Sequence, residues 1–197
     1  MIEKFRKFRE DFELYSQMTD IASVSRRYFV IGFFDGILTI LGMIVGAHLV
    51  GGVSSKLIIS AGFATALALG ISSAWGAFEA ERIEQKIMID RKERALLVES
   101  RNCAIERAHR AAAYISSTIH GIAPIVAAIP PLIPYLAFPE WVAFKFSLSF
   151  GLISLFLIGL FMGKTAKVNL ISSGARMLLA GIVTIILVII LNPSHII

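Results

Sequence analysis

The chain has 197 residues, 56% of them hydrophobic and 17% charged, and its mean hydropathy is +0.76. That composition excludes an ordinary water-soluble globular fold. Its 19 Lys and Arg against 14 Asp and Glu leave a net charge of +5, but the basic residues sit between apolar stretches, which points to a lipid bilayer and away from nucleic acid.

Residues 1–27 hold six Lys or Arg and five Asp or Glu with no continuous apolar run, so no cleavable signal peptide is expected. Ile2, Phe5, Phe8, Phe12, Tyr15 and Met18 recur at three- and four-residue steps with charges between them. The spacing predicts an amphipathic helix over 1–27, either lying on the inner headgroups or packed on the ends of the chain's own spans.

A hydrocarbon core about 30 Å thick needs roughly 20 apolar residues per helix. Five stretches meet that length: Tyr28 to Val50, Leu57 to Phe78, Ala111 to Phe138, Val142 to Met162, and a last one that starts between Leu170 and Met177 and ends near Leu191. Lys145 and Arg176 are compatible with such spans because a long basic side chain near a helix end can snorkel to the headgroups. The predicted fold is therefore an all-α integral membrane protein of five transmembrane helices, with residues 28–197 as one transmembrane domain.

Lys and Arg alternate sharply along the connections: six before the first span, one between spans one and two, eight in 79–110, one around the third connection, and three from Lys164 to Arg176. The positive-inside rule places the N-terminus in the cytosol and the C-terminus outside. The cytosolic segment 79–110 has no Pro or Gly and mixes seven acidic with eight basic residues, so the second span is expected to continue as a helix. Glu81 and Glu84, at i,i+3, can share a cation or form part of a solvated, ion-paired face.

Within the first span, Asp35 lies seven residues past Tyr28, about 10 Å deep. An acid there costs on the order of 2.5–3.5 kcal/mol towards the bilayer centre and is a functional candidate by default. Thr39 and Met43 follow at i+4 and i+8, giving carboxylate, hydroxyl and thioether groups that suit a borderline transition-metal cation; Asp35 can alternatively bond to a neighbouring helix, and Met43 can simply pack. Gly32, Gly36, Gly42 and Gly46 form small-xxx-small pairs that allow close helix approach, within a subunit or across a dimer.

In the third span His120 lies near the midplane and can carry a proton or sit neutral on a hydrogen-bond partner. Pro124, Pro130, Pro131 and Pro134 predict a kink or break in that helix. Cys103, the single cysteine, cannot close an intrachain disulfide, and His48, His109 and His195 are too scattered for a metal cluster with it. With no phosphate loop, dinucleotide fingerprint or HExxH run, no catalytic residue, enzyme activity or permanently bound cofactor is expected.

The run Val30-Ile31-Gly32-Phe33-Phe34-Asp35-Gly36-Ile37-Leu38-Thr39, followed by Gly46, resembles the first-helix signature of the vacuolar iron transporter family, also known as the CCC1 family. Pro131-Leu132-Ile133-Pro134-Tyr135 resembles its Pro-Leu-x-Pro segment, and Arg176-Met177-Leu178-Leu179-Ala180-Gly181 the start of its fifth helix. The resemblance implies a homodimeric exporter of Fe2+ or Mn2+ that exchanges the metal for protons through a path lined by the first two helices, with Asp35 as the path acid. In a prokaryote it would sit in the cell membrane.

The second helix departs from that pattern. Where the family has Ser-Met-Ala-x-Gly-Glu-Tyr, this chain reads Ser72-Ser73-Ala74-Trp75-Gly76-Ala77-Phe78, so Ser73 stands for the path methionine and Ala77 for the glutamate. Met43 could supply the missing sulfur and Glu79 the missing carboxylate, with Ser72 and Ser73 as hydroxyl groups on the path. The 32-residue cytosolic segment is also shorter than the family's three-helix metal-collecting domain, of which Glu81 and Glu84 would be a reduced version. The expectations are thus a proton-coupled metal exporter, with His120 as its proton-coupling candidate, or a non-transporting scaffold or sensor that keeps the fold.

Overall fold

The computed structural model describes residues 21–96 and 104–191. Six helices occupy them: α1 (Ile21–Val50), α2 (Ser55–Leu96), α3 (Ala104–Leu132), the single turn α4 (Pro134–Ala137), α5 (Glu140–Ala166) and α6 (Leu170–Leu191). All but α4 are long and apolar enough to cross a membrane, five candidate spans in total. Among the described residues there is no strand, as expected where every backbone N–H and C=O must be satisfied within its own helix.

The helices start and stop for local reasons. α1 is described from Ile21, and Arg26 and Arg27 stand just before Tyr28, where long basic side chains can reach the headgroups. It ends at Gly51 and Gly52, whose φ of 75° and 64° suit glycine. α2 then starts on two caps: the Ser54 hydroxyl accepts from the Leu57 N–H at 3.3 Å and the Glu140 carboxylate accepts from the Ser55 N–H at 3.1 Å. The helix runs on to Leu96, so the expected continuation beyond the second span holds as far as that residue. The amphipathic helix over 1–27 falls mainly on residues 1–20, outside the described residues, as do 97–103 of the charged segment.

The proline-rich span breaks, as its sequence predicts, at one of its four prolines. α3 passes through Pro124, Pro130 and Pro131 as one helix and is interrupted only after Leu132, before Pro134. Each proline leaves the carbonyl four residues back without its usual N–H. Near the interruption the Ser147 hydroxyl of α5 donates to the Pro131 carbonyl at 2.5 Å, a side-chain substitute for a lost ladder bond. Lys145, also on α5, places its ammonium 4.6 Å from the centre of the Trp141 ring, four residues nearer the helix start, as a snorkelling lysine does.

Two compact units divide the chain, one made of Met1–Phe29 with Ile71–Gly121 and the other of Val30–Gly70 with Ile122–Ile197. In the second unit, Ile40 and Ile44 of α1 pack with Ile58 and Ala66 of α2, Ala128 and Leu132 of α3, Tyr135 of α4 and Ala143 of α5. A neighbouring cluster joins Ile37, Leu41, Ala127 and Leu155. Small residues set the close crossings: a Cβ on Gly159 would lie 2.7 Å from the Gly174 Cα, so α5 and α6 meet backbone to backbone there. In the first unit the contacts are aromatic and polar, with Phe78 of α2 against Tyr114 of α3 at a ring-centre distance of 4.8 Å.

Candidate functional site

α1 is apolar on nearly every side between Val30 and Ala47, and Asp35 is its only charged residue there. Its rotation is fixed by Gly36. A Cβ on that glycine would stand 2.6 Å from the Pro124 Cα and 2.9 Å from the Ala127 Cβ, so this side of α1 is pressed against α3. Asp35, one residue back and about 100° around the helix at 3.6 residues per turn, is exposed.

The Thr39 hydroxyl donates to the Asp35 main-chain carbonyl at 2.7 Å and leaves the carboxylate alone. Among the described residues the Asp35 carboxylate has no hydrogen-bond or ion-pair partner. The same stripe of α1 carries Gly42 and Gly46. A Cβ on Gly42 would meet only a methyl of Val188, at 3.6 Å, and one on Gly46 would meet nothing within 4 Å. An unpartnered acid and an unfilled Gly46 therefore share one stripe, with Gly42 between them against Val188 of α6.

Met43 is not turned with them. Its Cε would be 3.0 Å from a Cβ on Gly62, and the side chain packs on the cluster around Ile40 and Ile44. The i+8 spacing from Asp35 suggested a shared face, but at 100° per residue eight steps drift by 80°, enough to carry Met43 into the core. In this arrangement it is a packing residue.

The remaining sequence candidates lie in the first unit. Ser72 is exposed, Ser73 half-buried and Ala77 buried. Glu79 pairs with Arg82 one turn on, at 3.3 Å, on an exposed surface. Glu81 accepts a hydrogen bond from the Tyr28 hydroxyl at 2.9 Å, while Glu84 is exposed. Among the described residues no three His, Cys, Asp or Glu side chains come together as a metal site, so Glu79, Glu81 and Glu84 are not assembled into one.

His120 is held by α1. Its Nδ1 lies 2.8 Å from the Tyr28 carbonyl oxygen, and the two rings are 5.1 Å apart between centres. A carbonyl only accepts, so Nδ1 carries the proton and Nε2 is the nitrogen that can take another. Tyr28 thus joins α1 to Glu81 of α2 through its hydroxyl and to His120 of α3 through its backbone. Sequence reading placed Tyr28 only as the edge of a span; tyrosine is common at membrane interfaces, and nothing in its spacing announced two polar partners more than fifty residues away. His48, set aside as a ligand, stacks on Phe144 with ring centres 3.7 Å apart and planes 11° from parallel.

The sequence profile of the VIT family matches residues 26–95 and 79–191 of the chain. An uncharacterised protein of Methanocaldococcus jannaschii is 32% identical over 165 residues, which cover 82% of this chain and 85% of that protein.

Proposed function

Since the chain belongs to the VIT family, a family of metal-ion transporters, we propose that it moves a divalent transition-metal cation, Fe2+ or Mn2+, out of the cytosol in exchange for protons. The observation that carries this reading is the unpartnered Asp35 carboxylate on an open face of a membrane-spanning helix. A lone carboxylate facing lipid is costly, whereas one facing a second helix across a cation is repaid by charge.

A homodimer formed on the Asp35, Gly42 and Gly46 stripe supplies that second helix, and the two Asp35 carboxylates then offer hard oxygen ligands to one dication. Thr39 lies on the same stripe, although its hydroxyl proton is engaged with the Asp35 carbonyl. Ser72, Ser73 and Glu79 are the second-helix contributors in this scheme. Glu81 and Glu84 gather cations at the cytosolic side, to which the distribution of Lys and Arg assigns the charged end of α2. His120, with Nε2 able to accept, takes the returning proton.

A second reading, a scaffold or sensor that has kept the fold without transport, is favoured by Ser73 and Ala77 in place of a thioether and a carboxylate. Proteoliposomes containing the purified protein and a pH-sensitive dye separate the two. The exporter reading expects Fe2+ or Mn2+ flux accompanied by opposite proton movement. Metal gradients that produce neither metal flux nor a dye response leave the scaffold.

A further inference from the structure

Between α2 and α3, within the first unit, lies a groove of about 570 Å3. Its described lining is Phe78, Arg82, Gln85, Lys86 and Ile89 from α2 with Ala113 and Tyr114 from α3. We propose that this groove binds an anionic phospholipid, with the phosphate on Arg82 and Lys86 and the adjoining acyl chain against Phe78 and Tyr114.

The order of groups along the groove carries the proposal. The apolar run of α2 ends at Phe78, and the Phe78 and Tyr114 rings touch at that level. Arg82 is four residues further out, about 6 Å, and Lys86 eight residues, about 12 Å. A headgroup layer is about 5–8 Å deep on each side of the hydrocarbon. Side chains on a helix lean towards its N-terminus, which for α2 means back towards the bilayer. Both cations are therefore directed to the depth of lipid phosphates, above an aromatic floor at the hydrocarbon edge.

Helix phase supplies the charge complementarity. Residues 79–94 of α2 contain as many acids as bases, yet the described groove lining has two bases and no carboxylate. Phe78, Arg82, Gln85, Lys86 and Ile89 fall on one stripe, whereas Glu81 turns to the Tyr28 hydroxyl on another. Glu79 stands at the side and engages Arg82 through Nη1 at 3.3 Å; a guanidinium has five N–H donors, so one contact does not exhaust it. Basic pockets between membrane helices are a recurrent way of holding anionic headgroups. The inference depends on the membrane-spanning helices and not on the transport reading.

The test uses the full-length protein in nanodiscs of three parts phosphatidylcholine to one part phosphatidylglycerol, with native mass spectrometry of the lipids that remain bound. We expect selective retention of phosphatidylglycerol by the wild type. At about fivefold per basic residue, Arg82→Gln with Lys86→Gln lowers it by about twenty-five-fold, while Arg82→Lys with Lys86→Arg preserves most of it. Arg82 is a surface residue in an exposed ion pair, so the fold survives these changes; circular dichroism and the elution profile check this. Equal retention of both lipids, undiminished retention in the folded double Gln variant, or displacement of the lipid by millimolar inorganic phosphate overturns the proposal. The last outcome would assign the cations to free phosphate. Groove occupancy by residues 1–20 or by a second copy, seen as crosslinks from Ile89→Cys that added phosphatidylglycerol does not reduce, would overturn it as well; that lining position leaves both cations in place.

Discussion

Tyr28 and His120, 92 positions apart, are joined by a 2.8 Å contact between the Tyr28 carbonyl oxygen and His120 Nδ1 and by rings 5.1 Å apart. The Tyr28 hydroxyl adds Glu81 at 2.9 Å, so one residue of α1 ties together α2 and α3. His120 is also four residues before Pro124, which has no N–H to offer the His120 carbonyl. The imidazole therefore sits where the α3 ladder is already locally weakened.

If His120 takes the proton of an exchange cycle, His120→Gln should uncouple the two fluxes. Gln can still donate to the Tyr28 carbonyl but cannot be protonated near neutrality. The expected result in dye-loaded proteoliposomes is metal flux with a greatly reduced proton response. A dye response per metal ion equal to wild type would remove His120 from the coupling step. Tyr28→Phe, in contrast, keeps the backbone contact and loses only the hydroxyl bond to half-buried Glu81, at a stability cost of about 1 kcal/mol. A double-mutant cycle with Glu81→Gln measures that bond.

Asp35→Asn should leave the fold intact and abolish metal flux. The amide is nearly isosteric and the carboxylate has no described partner to lose, so stability should be unchanged or raised in the membrane. Loss of a direct charged ligand is expected to exceed the roughly 10–100-fold effect of altering a supporting shell. Flux assays on protein of verified elution profile decide the matter; wild-type rates in that variant would exclude Asp35 from the path.

The glycines of α1 should separate folding from assembly. Gly36→Leu would drive a side chain into the Pro124 backbone, and a destabilisation of about 1–3 kcal/mol or more is expected from such overpacking. A Cβ on Gly46 meets nothing within 4 Å in the protomer, so Gly46→Leu starts from open space. It should fold normally and, if this face forms the dimer, yield monomers in mild detergent and in nanodiscs. A Gly46→Leu protein that self-associates as tightly as wild type would place the dimer contact elsewhere.

Ion preference should respond to Ser73 and not to Met43. A thioether at position 73 makes the path softer and should shift selectivity towards Fe2+ over Mn2+. Met43 packs against the core near Gly62, so Met43→Leu, which nearly conserves volume, should cost less than about 1.5 kcal/mol and leave selectivity alone. Competition between Fe2+ and Mn2+ under reducing conditions measures both. A selectivity change in Met43→Leu with none in Ser73→Met would reverse the assignment of the soft ligand.

Hydropathy and the length of apolar runs, properties of the chain read in one dimension, determined the five spans, the extension of the second beyond Phe78 and the exceptional status of Asp35. The signature around Asp35 likewise disclosed the family before any packing was known. Tertiary structure decided which side of each helix faces inward. A helix that is apolar all round carries no polar face to fix its rotation, and only the approach of Gly36 to Pro124 and Ala127 turned Asp35 outward and Met43 into the core. The same is true of Tyr28, Glu81 and His120, because a polar contact between helices depends on their relative rotation and height, and neither is encoded in the spacing of residues along any one of them.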